Sequence, residues 1–394
     1  MADPTRPFLV LYIVWHPSSA EGPTIADFLR EHFRRKLYEN VAGGTGLSVI
    51  YRFAAGPGTA SPLLIDFDEA ETTAVVVLAD RALAADLTWT GYLRDLVDRT
   101  EAAGLRTRVF PVEIESEVLG SLGLDEQALC WARWTGSSDD RRRRLTAELS
   151  YEFCRMLRHY LEHLKRPVEE EAALEGYLKK VQIFLSHSKH DNDGQRIAYA
   201  IRDRLHGGHG LSSFFDVHDI PSGLRFHKVL LHQVRVSAVV AIHTDSYSSR
   251  EWCRREVIEA KRWNVPLVVA NSISDVDERG FPYMGNVPVV RLEPSQPVRV
   301  DVVIGRLLDE VLKDFLWRCR VELVRSMADR TVVFVPRPPE LVSLANLPPV
   351  DDVPEPVIVY PDPPISAEEE RLFADVAPRV QLRSLTEWLA GAIR

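Results

Sequence analysis

One pattern constrains this chain more than any other, and it occurs twice. Short apolar runs alternate with stretches of helical periodicity, the alternation breaks at a charged segment, and then it restarts. The first series is FLVLYIVW, LSVIYRF, TTAVVVLA and RTRVFPVEI; the second is VQIFLSHS, SSFFDV, VSAVVAIHT, VPLVVANSI and VPVVRL. Runs this short, bounded by polar turns and separated by helices, predict parallel strands buried on both faces by helical layers. In such doubly wound sheets the ligand crevice opens at the carboxyl ends of the strands.

The breaks set the expected domains: an α/β domain over residues 1–165, a charged linker over 166–180, a second α/β domain over 181–325, and an extension over 326–394. The linker carries Glu169, Glu170 and Glu171 in a row. The last helix of the first domain places Leu145, Leu149, Phe153, Met156, Leu157, Tyr160, Leu161 and Leu164 on one face. The extension starts proline-rich, offers one strand in PVIVY, and then a helix capped by Ser366 with Glu369 at the capping-box position. It is too short to hold a core alone and is expected to pack on the rest. The segment TTAVVVLADRALAADLTWTGYL of the first domain echoes VSAVVAIHTDSYSSREWCRREV of the second, as duplication would produce.

Composition excludes several classes. No run of eighteen apolar residues exists, so no membrane span is expected, and the run at residues 8–15 reads as a strand, not a signal core. The four cysteines are scattered, without zinc spacing, as in a reduced cytoplasmic protein. A net charge of −9 argues against direct nucleic-acid binding. The exception is the arginine run at 141–144, which reads as a solvated helix start. The twelve histidines form no HExxH or paired His/Cys arrangement, so no metal is expected. There is no Walker loop and no GxGxxG. The DNDG stretch lacks the first ligand and the closing glutamate of a calcium loop. A phospho-receiver needs acidic residues after its first strand, where this chain has SHS.

Three motifs then stand in order. The opening strand of the second domain ends FLSHSKHD, its second strand gives FFDVHDIPSG, and its third leads into SYSSREWCRREV. In this order the segment resembles the TIR family, although one extra residue separates Ser249 from Trp252. The resemblance implies a flavodoxin-like doubly wound parallel sheet of about five strands. It makes the first domain a degenerate TIR-like copy. It also implies an NAD⁺ glycohydrolase or cyclase, of the bacterial NAD-hydrolase type, acting in antiviral defence. NAD⁺ is then substrate, and no cofactor is required. The partners implied are further copies of the chain through TIR–TIR contacts, and an activating protein or small molecule.

The residues supply their own logic. Trp252 and Glu256 lie four apart, so a helix starting after Ser248 or Ser249 puts them on one face at the crevice. Nicotinamide leaves from an already cationic ring, so its departure needs no general acid. The transition state needs a negative group beside the developing oxocarbenium and hydrogen bonds to the ribose, and Glu256 offers both. Ser186, His187 and Ser188 end the first strand and are candidate pocket residues. Asp216, Asp219, Gly223 and Phe226 surround the second strand's end and the BB loop; Tyr247 precedes the helix and is a candidate to stack on a base. At the place of Glu256 the first domain has Leu93, and at the place of Trp252 it has Trp89, so that copy is expected to be catalytically silent. Two other functions compete: a non-catalytic TIR adaptor signalling by homotypic contact, and a nucleoside-processing transferase.

Overall fold

Continuous apolar runs become the middle strands of parallel sheets, and the polar-flanked ones become edges. The computed structural model describes residues 6–39, 46–54, 62–122, 127–165, 181–190, 192–206, 212–214, 226–274, 281–293, 296, 299–349, 352 and 355–392. The chain divides into two compact units, the first reaching residue 173 with a short piece at 322–324, the second holding the remainder. The expected linker over 166–180 lies outside the described residues.

In the first unit, β1 (Leu9–Val14), β2 (Ser48–Arg52), β3 (Thr72–Ala79) and β4 (Thr107–Glu113) form a parallel sheet in the order β2-β1-β3-β4. Both β1 and β3 are buried along their whole lengths, as strands covered on both faces must be. Three main helices accompany them: α1 (Gly22–Arg30), α2 (Leu87–Ala103) and α3 (Ser138–Lys165). Asp86 caps α2 by accepting from the Thr88 and Trp89 amides. The arginine run does start α3, but its side chains are not simply solvated. Arg141, Arg142 and Arg144 lie over the rings of Trp131, Phe28 and Trp134, and Arg143 bonds Asp140 at 2.5 Å. Three of the four guanidinium groups thus cover aromatic faces, which a count of charges does not anticipate.

The second unit repeats the winding with a fifth strand. Its sheet runs β6-β5-β7-β8-β9, all parallel, from β5 (Gln182–His187), β6 (Ser212–Phe214), β7 (Ala238–His243), β8 (Leu267–Asn271) and β9 (Val289–Arg291). The helices are α4 (Asn192–His206), α5 (Phe226–Val236), α6 (Glu251–Arg262) and, up to residue 321, α7 (Arg299–Val324). Strand order reverses between β5 and β7, where such folds open their crevice. Ser186 pairs with Ala241 and His187 with Ile242. The core on the α6 side gathers Phe184, Val239, Ala241, Tyr247, Cys253, Val257 and Ala260.

The extension differs from expectation. It holds three strands, not one: β10 (Val332–Phe334), β11 (Val357–Tyr360) and β12 (Gln381–Ser384), a parallel sheet with α8 (Ala367–Val376) and α9 (Leu385–Ala392). A small core of its own joins Val335, Ile358, Tyr360, Phe373 and Leu382. The sequence hid β10 because it is three residues long beside prolines, and β12 because it alternates exposed and buried positions. Ser366 and Glu369 do form the expected capping box.

Candidate functional site

Two-residue periodicity decides which side chains reach the crevice. Ser186 and Ala241 are paired neighbours, so they share the face covered by α6, and Ser188 and His243 continue it toward the carboxyl edge. His187 alternates to the opposite face. Its Nδ1 lies 3.4 Å from the Leu185 carbonyl, and its own carbonyl accepts from the Cys253 thiol. His187 is therefore not brought together with Glu256, and the reason is the pleat.

Glu256 is 5% exposed, one turn past the start of α6. Its Oε2 accepts from the Ser186 hydroxyl at 2.5 Å, and Ser186 Oγ is also 2.5 Å from the Tyr247 hydroxyl. Tyr247 is wholly buried, and burial pushes its phenol well above the ordinary value, helped by the charges of Cys253 and Glu256. The tyrosine stays neutral and acts as a fixed dipole in the floor of the site. Its ring is closed off from any base, so the stacking role expected of it is replaced by a hydrogen-bonding one.

Trp252 and Glu256 share a helix but not an environment. The indole is 39% exposed and lies under the Arg255 guanidinium, 4.4 Å from the ring centroid. Trp252 therefore offers an aromatic plate at the surface, while Glu256 points into the sheet. The expected serine cap of α6 is also absent: Arg250 takes the cap position without a side-chain bond. The Ser249 hydroxyl instead donates to the Ser246 carbonyl, and Ser248 Oγ lies 2.7 Å from His243 Nε2. At the far end, α6 closes with Asn264 in the left-handed region at φ 53°. The Val265 amide reaches Ala260 and the Asn264 amide reaches Lys261, a Schellman arrangement.

Ser188 accepts from the Ser246 hydroxyl at 2.6 Å and from the His190 amide at 3.3 Å, so it ties two loops together beside the crevice. Asp216, Asp219 and Gly223 lie outside the described residues, as does the side chain of Phe226, whose backbone begins α5. The pair His243–Ser248 escaped sequence reasoning. Its signal was present in the strand period: His243 stands two residues past Ala241, on the face of Ser186. Burial lowers the imidazole's pKa, opposed by the charge of Asp245, so the ring is neutral near pH 7.

In the first unit the equivalent places are apolar. Val14 pairs with Val77 as Ser186 pairs with Ala241, and Val14, Leu83, Trp89 and Leu93 lie in one buried core cluster. No carboxylate or hydroxyl occupies the position that Glu256 and Ser186 hold in the second unit.

Among the described residues no helix is long and apolar enough to cross a membrane. No curated protein matches the chain. A comparison with family models matches residues 183–284 to the TIR domain, a stretch reaching from β5 past β8 and containing Ser186, Tyr247 and Glu256. Sheet order and family match agree: the second unit of this chain carries a TIR domain at residues 183–284.

Proposed function

We propose that the second unit cleaves the nicotinamide–ribose bond of NAD⁺, with Glu256 as the charge that stabilises the transition state. One observation carries this reading. A carboxylate is held at the switch point of a doubly wound sheet by the Ser186 hydroxyl, itself bonded to the Tyr247 hydroxyl, in a place where a helical glutamate would ordinarily face water. Burial and fixed donors make a preorganised negative site, worth more against a developing oxocarbenium than a mobile surface carboxylate. The TIR family includes NAD⁺-cleaving enzymes, which agrees with this chemistry. Whether the product is linear or cyclic depends on which nucleophile captures the cation, water or the adenine ring of the substrate.

Self-association through TIR–TIR contacts, release by an activating signal, and a role in antiviral defence belong to the same proposal. The adaptor reading has one observation in its favour: Trp252 and Arg255 form an exposed aromatic–guanidinium plate of the kind enriched at protein interfaces. Incubating the full chain with NAD⁺ and separating the products by chromatography tests the proposal. Nicotinamide with ADP-ribose, or with a cyclic isomer, supports the enzyme; intact NAD⁺ at every protein concentration supports the adaptor.

A further inference from the structure

Resting on the NAD⁺-cleaving reading, we infer that His243 and Ser248 form the proton-accepting pair that delivers water to the ribosyl cation. In that reading Glu256, accepting from Ser186, serves as the charge beside the cation, so the attacking water calls for a separate proton acceptor. Strand geometry supplies one. Ser186 sits beside Ala241, and His243 lies two residues further on the same face, roughly 6.6 Å toward the open edge. The His243 ring meets the Tyr247 ring edge-on, 5.7 Å between centroids, and the Tyr247 hydroxyl bonds the serine that holds Glu256. Base and carboxylate therefore stand on one face of the sheet, one behind the other.

The contacts fit a base. His243 Nε2 lies 2.7 Å from Ser248 Oγ, and Ser248 is part exposed while the imidazole is 5% exposed. A neutral ring accepting from a hydroxyl is the arrangement by which histidine activates serine or a water behind it. The groups facing His243 are few. Asp245, in the following loop, engages the Ser274 amide and hydroxyl; Tyr247 and Ser248 come from the loop before α6; Asn271 is the paired residue of β8. Of these Asp245 alone carries a charge near neutrality, and its effect is to raise the imidazole pKa.

In the step, the C1′–N bond breaks and its electron pair leaves on neutral nicotinamide. The water oxygen bonds C1′ as its proton passes to Ser248 Oγ, and the Ser248 proton passes to His243 Nε2. The imidazolium then releases that proton to solvent. The sum is NAD⁺ and water giving ADP-ribose, nicotinamide and one proton.

The test follows nicotinamide release from pH 5 to 8 by the full chain, by His243→Gln, by His243→Ala and by Ser248→Ala. His243→Gln keeps a hydrogen bond to Ser248 but cannot accept a proton. The expected result is a rate lower by about 10²–10⁴-fold and loss of the acid limb that the wild type shows, while His243→Ala, which vacates the ring's place, is expected to recover in part on adding imidazole. Ser248→Ala is expected to keep the acid limb at a reduced rate, because a water can occupy the vacated place. Wild-type rate and acid limb in His243→Gln overturn the inference while NAD⁺ cleavage stands. So does a folded, slow His243→Ala that imidazole does not rescue. If the wild type releases no nicotinamide, the proposed function and this inference fall together.

Discussion

At the scale of single residues, the account turns on the link Glu256–Ser186–Tyr247. Ser186→Ala removes the hydroxyl that serves both partners and leaves two buried polar groups without it. A loss of about 1–3 kcal/mol is expected, measured by urea unfolding, together with slower NAD⁺ cleavage. Tyr247→Phe removes a single bond, and its loss should be the smaller of the two. A stability no different from wild type in Ser186→Ala would show that the link is incidental. His243 gives a pH test with a definite sign. Its folded pKa is lowered, so between that value and the ordinary value of about 6.5 the unfolded chain binds the extra proton. The stability it contributes is complete above the ordinary value and is lost as pH falls through that window. Thermal midpoints measured from pH 7 to 5 should fall less steeply in His243→Gln than in the wild type. Glu256 and Ser186 were legible in the sequence because a motif and a strand end marked them. His187 was chosen by proximity along the chain, and the pleat sends it to the other face. Trp252 shares its helix with Glu256, yet its indole is 39% exposed under the Arg255 guanidinium where Glu256 is 5% exposed.

At the scale of elements, α6 is fixed at both ends. Its N-terminal half carries Glu256, and near its C-terminus Lys261 is buried, donating to the Gly285 carbonyl at 2.6 Å and to the Glu340 carboxylate at 2.7 and 2.9 Å. Burial lowers the ammonium pKa, and Glu340 opposes that effect. Arg337 adds a bond to the Val265 carbonyl at 2.9 Å, just past the end of the helix. The extension thus clasps the helix that holds the proposed catalytic carboxylate. Glu340→Ala strands a buried cation, and a loss toward the lower end of roughly 3–5 kcal/mol is expected, because Glu340 itself is part exposed. Thermal unfolding of the full chain checks it; an unchanged midpoint contradicts the clasp. None of this was readable beforehand. The strands β5, β7 and β8 announced themselves as apolar runs, whereas Glu340 looks like any surface glutamate until the fold brings it 79 residues back to Lys261.

At the scale of the whole molecule, the two units share the strand order 2-1-3-4 across their first four strands, yet their crevices differ in chemistry. Aliphatic side chains fill the first unit's equivalent places, so activity is expected from the second unit alone. The repeated alternation made both sheets legible in the sequence. The TIR resemblance implies that the BB loop, residues 218–225, both covers the crevice and joins neighbouring copies; these residues lie outside the described ones. Its role remains a proposal with its own test. Specific activity should rise with protein concentration while light scattering reports larger particles, and Gly223→Pro should suppress both; flat specific activity across the dilution series contradicts assembly control. The central claim has a more direct measurement: nicotinamide release from NAD⁺ by the full chain and by Glu256→Gln at equal concentration, with folding confirmed by circular dichroism. The account predicts release by the wild type and a rate about 10²–10³-fold lower in the variant, with no remainder attributable to the first unit. Equal rates from the two well-folded proteins would contradict it.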